Sequence, residues 1–430
     1  MILKNDKKTI RAWTFYDWAN SVYPLVISSA IFPIFYEKVT KDHLGGVINF
    51  CGGEFINTAF YGYVVAFSYL IVAFSSPLLS GMADYSDSKK RFLQLFCYLG
   101  SCSCIALSFF STDHIILSML ALMFASVGYW GSLVFYNAYL PEIADNDQHD
   151  KISARGFSMG YIGSSLLLII ILVLAVFTKT IPKIQYTFAL VGIWWMAFAQ
   201  ITFRRLSPSG VSSKERKHIF SSGYKELKNV WDDLKHRLQL RRFLASYFMY
   251  NMGVQTVMIM AVPFAAKAIL WENEKQQQQS LIVSILLIQF LGVAGAFIMS
   301  RLSGIIGNIK ALGLVIFIWI FICIYAYRAV DTPMEFYIVA GSIGLVMGGI
   351  QALSRSTYSK MLPETKDHAS YFSFYDVSEK IGLAIGTTTF GLIEDVTGGI
   401  RNSVLSLIII FIAGFLLLLR VPKEQVAISK

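Results

Sequence analysis

At 430 residues, 55% hydrophobic and only 15% charged, the chain is too apolar for a water-soluble fold, in which about 25% of residues carry charge; its solvent is lipid. The net charge of +10 does not point to nucleic acid, because the basic residues cluster between apolar runs instead of lining one continuous face, a pattern that suits a membrane surface. Five cysteines, with no His or second Cys pair beside Cys102-Ser103-Cys104, argue against a metal site and for small buried side chains.

The N-terminus carries Lys4, Lys7, Lys8 and Arg11 and then an apolar run of about twenty residues, long enough to cross a bilayer. That run is longer than a signal-peptide core, so it reads as a retained helix. Hydropathy windows of about twenty residues predict twelve spans, at 14–36, 57–81, 91–111, 114–138, 156–178, 183–203, 243–270, 279–303, 309–328, 334–357, 371–393 and 401–421. The loop 37–56, with Gly45, Gly46, Gly52 and Gly53, reads as a flexible cap. Between the sixth and seventh spans lies the one long polar interval, 204–242, with eleven Lys/Arg against four acids. It divides the chain into a bundle over 1–203, a basic connector over 204–242 and a second bundle over 243–430. Placing both termini in the cytoplasm puts 28 of the 37 Lys/Arg on that side, which fixes the expected orientation. Within the connector Tyr224, Leu227, Val230, Trp231, Leu234 and Leu238 recur at steps of three and four. They predict an amphipathic helix lying along the inner membrane surface.

Three short matches in order indicate an internal duplication. Leu140-Pro141-Glu142 recurs as Leu362-Pro363-Glu364, the loop 80–90 aligns with 300–310, and Asn20-Ser21-Val22 aligns with Gln255-Thr256-Val257. The long 37–56 loop accounts for the differing offsets. Two six-helix halves of common design bind substrate between them near the midplane and alternate access by rocking.

This architecture and the loop Ser80-Gly81-Met82-Ala83-Asp84-Tyr85-Ser86-Asp87-Ser88-Lys89-Lys90 resemble the major facilitator superfamily, whose loop motif runs G-x-L-A-D-x-x-G-R-K. Ser80 and Asp87 replace usual glycines, and Gly304 stands where the second copy usually has Asp. The resemblance implies that Asp84 faces the N-terminus of the eleventh span, where the helix dipole favours a carboxylate. The chain further resembles the autophagy-related vacuolar amino-acid effluxers and their bacterial relatives. That likeness rests on Tyr16-Asp17-Trp18-Ala19-Asn20-Ser21, Phe135-Tyr136-Asn137-Ala138-Tyr139-Leu140-Pro141-Glu142 and Ser153-Ala154-Arg155-Gly156. It continues through Gly253-Val254-Gln255-Thr256, the run Gly348 to Ser356, and Phe374-Tyr375-Asp376 with Lys380. Met252 replaces an Asp usual in the family, so no coupling role carries over to that position.

Ionisable groups inside spans are costly unless paired or hydrated. Asp17, Arg155, Arg355, Asp376, Glu379 and Lys380 are therefore the candidates for coupling or gating, with Asp84 at the inner loop. Asp376 and Lys380 stand four apart, the spacing of an intrahelical pair, and Asp17 is expected to pair with Arg155. Both a gating role and direct substrate or proton handling remain open. A cavity-facing Glu379 is the candidate proton-coupling site. Substrate contacts are expected from Asn20, Gln255 and Gln351, with Tyr16, Tyr23 and Tyr250 (and Trp18) as an aromatic wall. Interhelical hydrogen bonding and core packing are the competing roles for these residues.

The phosphate-binding loop, G-x-S-x-G and HExxH motifs are absent from the sequence, which speaks against an enzyme and against ATP drive. The expected protein is an all-α secondary transporter of twelve helices, moving a small organic solute by alternating access. It requires no cofactor, is monomeric, and sits in a bacterial inner membrane with protons as the candidate coupling ion. The resemblance suggests amino acids moved outward. Import of a peptide, sugar or cell-wall fragment is the alternative. An intramembrane lipid-linked transferase, relying on the acidic loop 142–151, is the alternative of another class; that loop reads as solvated.

Overall fold

The computed structural model describes residues 4–177, 184–206 and 219–422. The connector stretch 207–218, with Lys179 and Lys183, lies outside the described residues. Among the described residues, eleven helices are long and apolar enough to cross a membrane. A twelfth, over His368–Thr397, is long enough but interrupted by charge.

The first bundle begins with a broken span. Helix α1 (Lys7–Asn20) continues into a π-helical segment (Tyr23–Ala30) and then α2 (Phe32–Leu44). Pro24 and Pro33 enter at the starts of the second and third pieces; each lacks an N–H, so the backbone register slips at those points. The span thus runs well past the predicted 14–36. The loop expected to be a flexible cap is instead a hairpin, β1 (Val47–Phe50) with β2 (Gly53–Ile56), Val47 opposite Ile56. Cys51 and Gly52 both have positive φ, as a two-residue hairpin turn of matching twist requires. The bundle is completed by α3 (Asn57–Tyr85), α4 (Lys89–Ala106), α5 (Ile115–Ala138), the short α6 (Leu140–Ile143), α7 (His149–Phe177) and α8 (Gln185–Arg205).

Connector helix α9 (Ile219–His236) leads into the second bundle. That bundle comprises α10 (Leu238–Ala268), α11 (Glu274–Ile306), α12 (Asn308–Ala329), α13 (Pro333–Met361), α14 (His368–Thr397) and α15 (Ile400–Leu419). The two six-helix bundles give the major facilitator fold. They meet chiefly along α7 with α11 and α13, and along α14 with α3 and α5. Within the second bundle, α11 and α13 cross through glycines. A Cβ on Gly295 would overlap the Leu345 carbonyl, and one on Gly348 the Gly292 carbonyl; small residues let the backbones approach where lipid offers no hydrophobic drive.

Large apolar side chains such as Phe74, Phe109, Leu117, Ile305 and Val396 are outward-facing and more than half exposed, as a lipid-facing belt should be. Cys97, Cys104 and Cys323 are buried, whereas Cys102 faces outward. Helix α9 spends part of its apolar stripe on protein rather than bilayer. Val230 and Leu234 are buried, Gly223 packs on Met82 at the end of α3, and Trp231 lies 5.5 Å from Phe374 of α14. Tyr224 and Leu238 remain exposed.

Candidate functional site

A cavity of about 210 Å³ opens between the bundles. Each flanking helix contributes one face. From α1 and its continuation come Asp17, Ser21, Pro24 and Ser28, from α10 Tyr247, Asn251, Gln255 and Met258, and from α14 Tyr375, Glu379 and Leu383. The steps of three and four are those of a single helical face. Tyr69, Tyr129, Trp130, Phe157 and Tyr161 from the first bundle, with Gln289, Gln351 and Arg355 from the second, complete the wall.

Of the expected substrate contacts, Gln255 and Gln351 line this cavity. Gln255 Nε2 donates to Glu379 Oε1 (2.6 Å), and Gln351 Oε1 accepts from the Tyr161 hydroxyl (2.6 Å) across the bundles. Asn20, Tyr16 and Tyr23 lie behind the wall. They occupy the adjacent face of the same span, about 100° round from Asp17 and Ser21, and all three are buried in the bundle core. Tyr16 packs on Tyr136 and Tyr23 on Tyr129. Tyr250 is likewise buried, its hydroxyl 2.8 Å from the Ser354 hydroxyl. Trp18 stacks on Trp194. Met252 packs against Gly382 and Gly386 of α14, away from the cavity.

At the inner end of the cavity, Asp17 pairs with Arg355, not with Arg155. Both terminal nitrogens of Arg355 lie 3.3 Å from Asp17 Oδ2, which also accepts from the Tyr136 hydroxyl (2.7 Å). Arg355 donates further to the hydroxyl and carbonyl of Ser153 (both 2.9 Å) and sits 4.2 Å from the Phe157 ring centroid. Arg155 is exposed, because the face of α7 that meets α1 and α13 presents Ser153 and Gly156. A Cβ at Gly156 would overlap Asp17 Oδ2 and lie 2.8 Å from Arg355 Nη2. The glycine makes the room that the pair occupies.

On α14, Lys380 Nζ lies 2.9 Å from Asp376 Oδ1, the expected intrahelical pair, and 3.9 Å from Glu379 Oε2. It also stands 3.6 Å from the ring centroid of Trp130 on α5. Asp376 and Lys380 are one position behind the cavity face, and Glu379 is on it.

Two further clusters join the bundles at the face that carries the connector. In the first, Asp84 accepts from the N–H groups of Ala369 (3.3 Å) and Ser370 (2.7 Å) and from the Ser370 hydroxyl (2.7 Å). This is the first turn of α14, where unpaired N–H groups and the dipole attract a carboxylate. Lys89 bridges Asp84 (3.2 Å), Glu142 and the Lys366 carbonyl (2.8 Å). In the second, Asp150 of α7 accepts from Ser303 (2.9 Å), Asn308 (2.7 Å) and Lys360 (2.6 Å). The acid missing at Gly304 is thus supplied from the opposite bundle, with the polarity of the first cluster reversed. Glu142 and Asp150 thus belong to these cross-bundle clusters, and of the acids in the loop 142–151 only Asp145 and Asp147 are exposed.

Lys360, Ser21, Asn251 and Trp130 are among the residues that sequence reasoning passed over, and Asp150 reads there only as part of a solvated loop. Extending the helical period from Asp17 and Gln255 would have reached Ser21 and Asn251. Among the described residues, every hydrogen bond between the bundles lies at the connector face or in the inner and middle part of the helices, no further out than Ser164 to Gln289 (3.5 Å). The cavity is closed towards the connector.

A pocket between two pseudo-symmetric bundles, shut on one side by cross-bundle ion pairs, defines a multi-pass membrane transporter of the major facilitator class. The chain belongs to the family described as "Vacuole effluxer Atg22 like", which matches residues 5–428. It is similar to the MFS-type transporter YxiO of Bacillus subtilis, at 31% identity over 98% of this chain and 97% of the relative. It is also similar to autophagy-related protein 22 of Vanderwaltozyma polyspora, at 25% identity over 98% and 91%. Among solved structures it resembles the fucose:proton symporter FucP of E. coli, with TM-score 0.64, 15% identity and coverage of 97% and 98%. A bacterial homologue of the iron transporter ferroportin in an outward-facing state gives TM-score 0.63, 13% identity and coverage of 97% and 100%. These structures establish the fold.

Proposed function

We propose that the bundles 1–203 and 243–430 rock about the central cavity and carry a small organic solute outward, with amino acids the first class to test. The connector face is cytoplasmic in this reading, as the distribution of basic residues supports, and the closed inner clusters make the arrangement outward-facing. The observation that carries the proposal is the cavity between the bundles, lined by Asp17, Ser21 and Trp130 from one and by Asn251, Gln255 and Glu379 from the other. Its volume of about 210 Å³ falls below the roughly 300–1,000 Å³ of pockets for drug-sized ligands, which favours a metabolite over a peptide or cell-wall fragment. The Atg22 relatives, described as vacuole effluxers, support efflux. Glu379 is the proposed proton-coupling residue, since it is the cavity-lining carboxylate without a close cationic partner. Asp17, Asp84, Arg355, Asp376 and Lys380 serve the gates and the coupling cluster.

Counterflow in proteoliposomes tests this proposal. Preloaded amino acid should drive transient uptake of its labelled form with saturable kinetics. Non-saturable flux would mean a channel, and labelled lipid converted to product would mean a transferase. A Glu379→Gln variant that kept its response to a pH gradient would remove Glu379 from coupling.

A further inference from the structure

Asp17, Arg355 and Glu379 line the inner cavity, with Asp376 and Lys380 one position behind, so three carboxylates stand against two cations. Arg355 is committed to Asp17. Lys380 is committed to Asp376 and only loosely to Glu379, at 3.9 Å, while its ammonium covers the face of Trp130. Glu379 is otherwise held by neutral donors, Gln255 and the Tyr247 hydroxyl (3.3 Å). Of the buried polar atoms without a hydrogen-bond partner among the described residues, two lie beside this corner: Oδ2 of Asp376 and Nδ2 of Asn251. The first is an acceptor beside Lys380. The second is a donor on the cavity face of α10, one turn from Gln255.

We propose that the corner between Glu379 and Trp130 is a binding site for the protonated amine of the transported solute, and that Lys380 holds this place in the empty carrier. When an ammonium group enters, Lys380 withdraws onto both oxygens of Asp376, and the vacant Oδ2 gains its partner. The incoming cation takes the Trp130 face and the Glu379 carboxylate, a pairing of ring quadrupole and charge that strengthens when water is excluded. Asn251 Nδ2 meets an acceptor on the same solute, a carboxylate or an amide oxygen. Trp130 belongs to the first bundle and Glu379 to the second, so a bound amine ties the bundles together at the cavity. The inference rests on the carrier reading above and adds the place where the solute's amine is held.

The test is thermal unfolding of the purified full chain with four matched six-carbon solutes: norleucine, norleucinamide, hexanoate and hexanamide. The two amines should raise the melting temperature and the two des-amino compounds should not, since only a ligand that binds the folded state stabilises it. Glu379→Gln should abolish the shift and Trp130→Leu should weaken amine binding about tenfold. Lys380→Met should tighten it by removing the place-holder. Stabilisation by hexanoate or hexanamide equal to that by the amines overturns the proposal, as does an amine shift that survives Glu379→Gln or no shift with either amine. Counterflow separates the two levels. If des-amino solutes exchange and amines do not, the carrier stands and the amine site falls; if no solute exchanges, the carrier reading itself fails.

Discussion

Lys360, at the end of α13, places its ammonium 2.6 Å from Asp150, at the start of α7 in the other bundle. The pair stands where the duplicated loop, at Gly304, has lost its acid, and it restores a carboxylate to the inner closure from the opposite side. Asp150→Asn should cost this closure about 1–3 kcal/mol, less than the ~3–5 of a fully buried pair because Lys360 remains partly solvated. Inner-open forms should rise correspondingly, by about 5–150-fold, as read by cysteine labelling from the connector face. Adding Gly304→Asp to that background should restore part of the closure. No change in labelling would remove Asp150 from the gate.

Asp17 and Arg355 are buried together, so deleting either alone should cost about 3–5 kcal/mol by leaving the other charge without its partner. Arg355→Met with Asp17→Asn should recover much of the lost thermal stability but not counterflow. A double variant that transported normally would make the pair structural only.

Gly156→Ala adds one methyl group where Asp17 Oδ2 and Arg355 Nη2 already lie. The expected cost is about 1–3 kcal/mol, typical of overpacking, with transport reduced by displacement of the pair. Arg155→Ala, on the exposed side of the same helix turn, should leave both properties unchanged. The two variants together test which face of α7 serves the site.

Asp233 of α9 accepts from Arg237 Nε at 2.5 Å and from the Tyr371 hydroxyl of α14. The Arg237 hydrogen bond, with help from Tyr371, holds its carboxyl below the usual 3.8. Arg237 is a local i,i+4 partner, so only the Tyr371 share of the lowering belongs to docking; that share is present above 3.8 and is lost as pH falls through the lower bound-state value. A spin label at exposed Lys225 should keep constant mobility from pH 8 to about pH 4 and loosen only below it. Asp233→Asn should loosen the helix at every pH in that range.

The bundle design was legible because hydropathy, basic clusters and three aligned fragments are local signals that survive in one sequence. The site was legible only to the helix: of the expected substrate contacts Gln255 and Gln351 line the cavity, as do the gating or coupling candidates Asp17 and Glu379, whereas Tyr16, Asn20, Tyr23 and Tyr250 lie behind it. A π-helical segment after Val22 and a span that begins at Lys7 make the rotation of that helix a tertiary property. The partner of Asp17 was missed for a different reason. Arg155 is nearer along the loop motif, but Arg355 reaches Asp17 only because α7 turns Gly156 towards it, and chain spacing carries no trace of that. The compensation of Gly304 by Asp150 is likewise a contact between bundles. The 47–56 hairpin carried a local cue, Cys51-Gly52 between alternating residues, that the surrounding glycines obscured.

The most direct test of alternating access is a pair of electron–electron distance measurements on reconstituted protein. One spin-label pair joins Lys7 to Arg301 near the connector face, and the other joins Lys41 to Thr332 at the opposite face. In the Asp150→Asn, Arg355→Met protein the first distance should lengthen and the second should shorten relative to wild type. Distances that stay fixed, or that change in the same direction at both faces, would contradict a carrier that rocks about the central cavity.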